Sequence, residues 1–207
     1  MVEITEIAGN LANQILAAPT SGRRTLIALA GPPASGKSTL AAALATVLTD
    51  RDRVAQVVPM DGFHLDNRLL EERDLLNRKG APQTFDAFGF LHLISRMKDE
   101  PSVIYPEFDR ERDIAIAGAA ELLETCDTVI VEGNYLLYDA PVWRDLNALW
   151  DIRIRLNVPE EILTGRLIAR WKALGLSKET ALQKAEGNDL PNARLVNAAS
   201  LSADITI

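Results

Sequence analysis

Residues 31–38 read Gly-Pro-Pro-Ala-Ser-Gly-Lys-Ser, and Thr39 follows. This G-x-x-x-x-G-K-S pattern constrains the chain more than any other feature, because its neighbours are also right. Before it, residues 25–30 (TLIALA) form an apolar run of strand length without alternation. Such a run suits a strand buried on both faces of a parallel sheet. After it, residues 37–48 read as a helix. Glycines let the backbone curl so that successive N–H groups point inward at phosphate oxygens, and the new helix adds its partial positive end. Lys37 supplies a cation for the β- and γ-phosphates, and the Ser38 hydroxyl suits Mg²⁺. The loop Gly31, Pro32, Pro33, Ala34, Ser35, Gly36, Lys37, Ser38 and Thr39 therefore reads as a site for a nucleoside triphosphate with magnesium. It does not say where the γ-phosphate goes.

The rest of the chain alternates. Ile4, Ile7, Leu11 and Ile15 recur at helical spacing, so residues 2–18 predict an amphipathic helix, stopped by Pro19-Thr20-Ser21-Gly22. Strands are expected at 54–59, 103–105, 128–132 and 151–158. Helices are expected near 65–76, 87–98 and 141–149, from Pro159 to about 174, and near 177–186. Residues 113–126 are ambiguous: Ile114 and Ile116 alternate like a strand, while 119–124 looks helical. An isoleucine-rich end, 204–207, closes the chain. Strands alternating with helices predict a three-layer α/β fold with a mostly parallel sheet. The 207 residues fit one domain, with 1–22 as an N-terminal helix packed on it.

Composition removes several classes. At 47% hydrophobic and 25% charged, the chain is neither disordered, collagen-like nor a disulfide scaffold. Its net charge of −7 is opposite in sign to that of a general nucleic-acid or anionic-membrane binder. Cys126 is the only cysteine, so no internal disulfide forms, which fits a reducing cytoplasm; it reads as a buried spectator. His64 and His92 have no cysteine partner at metal-ligand spacing. There is no signal-peptide pattern, and the charge-free runs at 25–36 and 38–49 fall short of the ~20 residues a membrane helix needs.

Three further segments bear on the chemistry. Asp61, in Pro-Met-Asp-Gly-Phe-His, lies just past the strand at 54–59, at the edge where ligands bind in open α/β sheets. It reads either as a base for an attacking hydroxyl or as the cap of the next helix. Glu132 ends the apolar strand VIVE, where a carboxylate needs a partner such as Mg²⁺. Arg166 and Arg170 sit four apart on one helical face, aimed at polyphosphate or paired in solvent with Glu160 and Glu161.

These motifs resemble a known group. GPPASGKS, the MDGF segment, Arg78-Lys79-Gly80-Ala81-Pro82-Gln83-Thr84-Phe85-Asp86, Tyr105-Pro-Glu-Phe-Asp109-Arg110, VIVEGNYLL and RLIAR occur in the order found in the pantothenate kinase, uridine kinase and phosphoribulokinase family of P-loop kinases. The resemblance covers about 25–195. Its wording is similar to a bacterial nucleoside kinase-like subgroup that includes proteins named as fructose transport system kinases. It implies a P-loop NTPase fold with a five-stranded parallel core, a helical lid near 166–190, ATP and Mg²⁺, and transfer to a primary hydroxyl. By that resemblance Asp61 is the base. Lys37, Arg166 and Arg170 stabilise phosphate charge, and Ser38 and Glu132 hold the metal. Phe63, His64, Lys79, Asp86, Tyr105, Asp109, Arg110 and Asn134 shape the acceptor pocket. The expected acceptor is a sugar such as fructose, or a nucleoside, and the expected assembly is a homodimer at most. The rival readings are a nucleotide-binding regulator and an ATPase without a small-molecule acceptor.

Overall fold

The computed structural model describes residues 2–18 and 22–207. The expected helix stop at Pro19, Thr20 and Ser21 lies outside the described residues.

Five strands form one parallel sheet in the order β2-β5-β1-β6-β7. They are β1 (Thr25–Ala30), β2 (Ala55–Pro59), β5 (Thr128–Gly133), β6 (Ile152–Arg155) and β7 (Ile205–Thr206). The two central strands, β1 and β5, are buried along their whole length, as their unbroken apolar runs require. Alternation decides which face each side chain covers. Leu26, Ala28 and Ala30 of β1 face a core shared with Phe90, Ile94 and Met97 of α4 (Ala87–Asp99). Ile27 and Leu29 face the opposite core, closed by Leu11 and Ile15 of α1 (Val2–Ala17) and Leu40, Leu44 and Leu48 of α2 (Lys37–Thr49). Helices on both faces give the three-layer arrangement.

A third, smaller core holds the C-terminal helices to the phosphate loop. Leu163 and Leu167 of α5 (Glu160–Ala173) pack with Ala185, Leu190 and Ala193, and Ala34 of the loop rests against them. Between α6 (Lys178–Lys184) and α7 (Leu190–Ala198) the helix widens to a π-helical segment, Ala185–Asp189. The expected helix at 177–186 thus continues further than the sequence suggested. Asn188-Asp-Leu-Pro-Asn192 is helical, because Pro191 sits in the first turn of α7, where its missing N–H costs nothing.

Three other expectations are corrected. Residues 103–105 do not join the main sheet. With the ambiguous 113–126 segment they become a separate antiparallel hairpin, β3 (Val103–Asp109) and β4 (Ile114–Leu122). Pro106 is tolerated because the register shifts between Tyr105 and Glu107, so no ladder N–H is required of it. The helix expected at 141–149 is a 3₁₀ turn, Trp143–Ala148, entered through Val142 at φ 70°. The helix near 65–76 is split into α3 (Asn67–Glu72), capped by Asp66, and a 3₁₀ turn at Leu76–Arg78. Among the described residues, no helix is long and apolar enough to cross a membrane.

Arg24 ties the hairpin and α4 to the start of β1. It is 1% exposed, and its guanidinium donates to the carbonyls of Cys126, Met97, Glu100, Pro101 and Leu123. Cys126 is buried as expected, its thiol donating to the Thr128 carbonyl.

Candidate active site

Parallel register brings the chemistry to one edge. Leu29 lies opposite Glu132 and Ile154, and Glu132 lies opposite Pro59. The phosphate loop after β1, Glu132 near the end of β5 and the Asp61 turn after β2 therefore meet at the carboxyl ends of three strands, where open α/β sheets bind ligands. They line a cleft of about 1070 Å³.

The loop reaches α2 through two left-handed residues, Ala34 (φ 61°) and Gly36 (φ 96°). Gly36 offers no side chain to cap α2, which leaves the first-turn N–H groups for an anion. Lys37 is half-buried, with its Nζ 3.4 Å from the Pro32 carbonyl that it donates to. Burial holds its pKa below the ordinary lysine value, against the pull of Glu132 and Asp61. Ser38 Oγ donates to Glu132 Oε1 at 3.0 Å. Burial pushes the Glu132 pKa up, and Lys37 and Ser38 oppose that. A hydroxyl and a carboxylate side by side are hard oxygen donors that fit Mg²⁺ completed by phosphates and water. No group of three His, Cys, Asp or Glu among the described residues forms a self-sufficient metal cage.

Asp61 stands in a 3₁₀ turn, Met60–Phe63. It does not cap the next helix, since Asp66 does that. The Asp61 carboxylate instead accepts from Arg110 Nη2 at 2.8 Å. Two glycines seat this turn. A Cβ on Gly62 would lie 2.7 Å from the carbonyl carbon of Pro106, and one on Gly133 would lie 2.6 Å from Met60 Cβ. His64 Nδ1 pairs with the Asp61 carbonyl at 2.8 Å, and its ring stacks between Phe85 and Phe108. Burial lowers its pKa below 6.5. Lys79 reaches Asn67 and Asp113, and its ammonium lies 5.1 Å from the centre of the Phe108 ring.

Of the acceptor residues expected from the motifs, His64, Lys79, Arg110 and Asn134 line the cleft. Four others do not. Asp86 spends its carboxylate capping α4 at Gly89 N. Asp109 accepts from the backbone of Glu111 and Arg112 and from the Arg112 side chain, closing the hairpin turn. Tyr105 is buried in the core, and Phe63 packs edge-on to Phe90. Asn67, Phe108, Asp113, Trp171 and Asn188 line the cleft without having been singled out as pocket residues. Asp113 carries a detectable signal, a carboxylate in the turn that joins two alternating segments.

The two arginines of α5 divide. Arg166 donates to the Ala34 and Ser35 carbonyls at 3.3 and 3.0 Å, holding the phosphate loop from α5. Arg170 lines the cleft, with its guanidinium 5.8 Å from the Trp171 ring. The solvent pairing with Glu160 is not formed, because Glu160 binds Arg194. Trp171 donates to Asp189 Oδ2 at 2.7 Å, and Asn188 Nδ2 donates to the Lys79 carbonyl at 2.7 Å, so the C-terminal helices are joined to the Lys79 side of the cleft.

Comparison with known proteins finds relatives among small-molecule kinases. A crystal structure from Silicibacter sp. TM1040, named a "putative fructose transport system kinase", superposes with TM-score 0.94 at 55% identity, covering 97% of this chain and 98% of that one. A Schizosaccharomyces pombe protein named "putative uridine kinase" is 34% identical over 198 residues, 89% of this chain and 83% of that one. The pantothenate kinase of Enterococcus faecalis is 36% identical over 155 residues, 72% of this chain and half of the longer enzyme. The family model for phosphoribulokinase and uridine kinase matches residues 26–193, so the chain belongs to that family of small-molecule kinases.

Proposed function

We propose that this protein transfers the γ-phosphoryl group of ATP to a hydroxyl of a small sugar, such as fructose, or of a nucleoside, with Asp61 as the base. The observation that carries the reading is the convergence of Lys37, Ser38, Glu132, Asp61 and Arg170 on one cleft, the first four at strand ends aligned by the sheet register and Arg170 on α5, which packs on the phosphate loop. The loop from Gly31 to Thr39 binds the triphosphate through its backbone N–H groups, with Lys37 on the phosphate oxygens. Ser38 and Glu132 hold Mg²⁺, which when bound neutralises phosphate charge. Arg170 adds positive charge beside the transferred group, and Arg166 keeps the loop in its curled form. Asp61 orients the acceptor hydroxyl and takes its proton, and its pairing with Arg110 keeps the carboxylate aimed along the cleft. The catalytic power of such a site is positioning plus electrostatics.

Asp61→Asn tests the assignment. ATP affinity should stay within a few-fold, while turnover falls by roughly 10²–10⁴. Turnover near that of the unaltered protein would remove Asp61 as the base.

A further inference from the structure

The acceptor side of the cleft carries two cations, and each is paired with a carboxylate. The Lys79 ammonium has three donors, and three acceptors surround it: Asn67 Oδ1 at 2.6 Å, the Asp113 carbonyl at 2.7 Å and Asp113 Oδ2 at 2.9 Å. The Lys79 side chain is only 13% exposed, so little solvent competes for it. Arg110 is engaged with Asp61. The one histidine in the cleft, His64, adds no charge at neutral pH, because burial lowers its pKa. The remaining cleft cations belong to other clusters. Lys37 sits in the phosphate loop, and Arg170 and Lys184 lie over the Trp171 ring of α5.

Positive charge is thus sorted along the cleft: Lys37, Arg170 and Lys184 gather at the phosphate end without a direct ion pair to any of them among the described residues, while Lys79 and Arg110 are each paired with a carboxylate where the acceptor must sit. An acceptor carrying a carboxylate or phosphate would bring an anion to a place whose positive charge is already balanced, or would have to separate Lys79 from Asp113 or Arg110 from Asp61. Either route costs binding. A neutral compound rich in hydroxyls meets a different surface. Asn134 Oδ1 is a buried acceptor in the same cleft with no partner among the described residues, and it calls for a hydroxyl donor.

We propose that the acceptor is an uncharged polyhydroxyl compound, and that Asp113 sets this choice by saturating and neutralising Lys79. The proposal rests on the kinase reading above. Asp113 does not touch the reacting atoms in this account; it is a specificity residue acting through Lys79.

The test compares neutral acceptors (fructose, uridine) with anionic ones (pantothenate, glycerate) in kcat/KM with Mg·ATP. At least one neutral acceptor should exceed both anions by about tenfold or more. Asp113→Asn then releases the Lys79 charge with little change of shape. Asp113 has φ 56°, a conformation that asparagine accepts readily. The ratio of anionic to neutral kcat/KM should rise about tenfold or more, since a freed ammonium gains a charge-assisted partner. Adding Lys79→Gln to Asp113→Asn should cancel that rise. Preference of the unaltered protein for an anion, or a ratio unmoved by Asp113→Asn, overturns the proposal. If none of the four compounds is phosphorylated, the kinase reading fails instead. Calorimetric binding of the same four compounds then decides the charge argument: tighter binding of an anion, or no binding by any of them, overturns it.

Discussion

Replacing Gly62 with alanine should damage stability and turnover together. Gly62 follows Asp61, and the β3–β4 hairpin passes directly over it. An added Cβ would lie 2.7 Å from the Pro106 carbonyl carbon and closer still to its oxygen. Ordinary carbon contacts need about 3.5–4.0 Å, so the turn and the hairpin must separate by about 1 Å. Overpacking of that kind costs about 1–3 kcal/mol. For a chain of this size that lowers Tm by roughly 2–12 °C. The functional loss should be larger. Asp61 sits on the turn and Arg110 just past β3, so the same 1 Å separates the carboxylate from the guanidinium that steadies it, and an error of that size costs roughly 10²-fold in rate. Gly165→Ala is the control. Gly165 lies inside α5 with nothing within 4 Å of a built Cβ, and alanine there should hold or raise stability by up to about 1 kcal/mol. Thermal melts and coupled ADP-release assays on both variants read the two effects. Gly62→Ala with unchanged Tm and turnover would refute the claim that the hairpin seats the Asp61 turn.

Two other perturbations test separate parts of the account. Arg24→Met strips the buried guanidinium from five carbonyls and should cost about 3 kcal/mol or more in urea unfolding; a loss under about 1 kcal/mol would mean those carbonyls find other partners. His64 has its folded pKa lowered by burial, so the unfolded chain binds more protons as pH falls below about 6.5. The stability it contributes is complete above 6.5 and is lost as pH falls through the lower folded value. Tm measured from pH 7.5 to 5 should therefore drop more steeply for the unaltered protein than for His64→Gln, and parallel profiles would show that His64 titrates alike in the folded and unfolded chain, against the burial argument.

What was legible in the sequence follows from how local its cause is. β1, the phosphate loop and α2 are contiguous, and glycine chemistry plus an apolar run specify them without help from the rest of the chain. β5 is legible for the same reason, since TVIVEG is apolar until its carboxylate. The β3–β4 hairpin is not. Residues 119–122 have helix-favouring composition, and pairing with β3 overrides it. The strand order, with β5 inserted between β1 and β2, depends on long-range pairing that no window of sequence contains. The acceptor side shows the same limit. Asp86 and Asp109 carry the motif, yet their carboxylates are consumed by nearby backbone N–H groups. Asp113, in the β3–β4 turn, and Asn67 of α3 bond each other directly and share Lys79, contacts that only the folded chain brings together. On α5, the spacing of Arg166 and Arg170 marks one helical face. It does not reveal that one grips loop carbonyls while the other faces the cleft.

The central claim is that phosphate leaves ATP for a small-molecule hydroxyl. The direct measurement is ADP release from Mg·ATP with and without fructose or uridine, with the phosphorylated product followed by phosphorus NMR. The account predicts slow release without acceptor, a marked rise with one of them, and a phosphate ester formed in step with ADP. ADP appearing at the same rate in every tube, with inorganic phosphate as the only product, would contradict it.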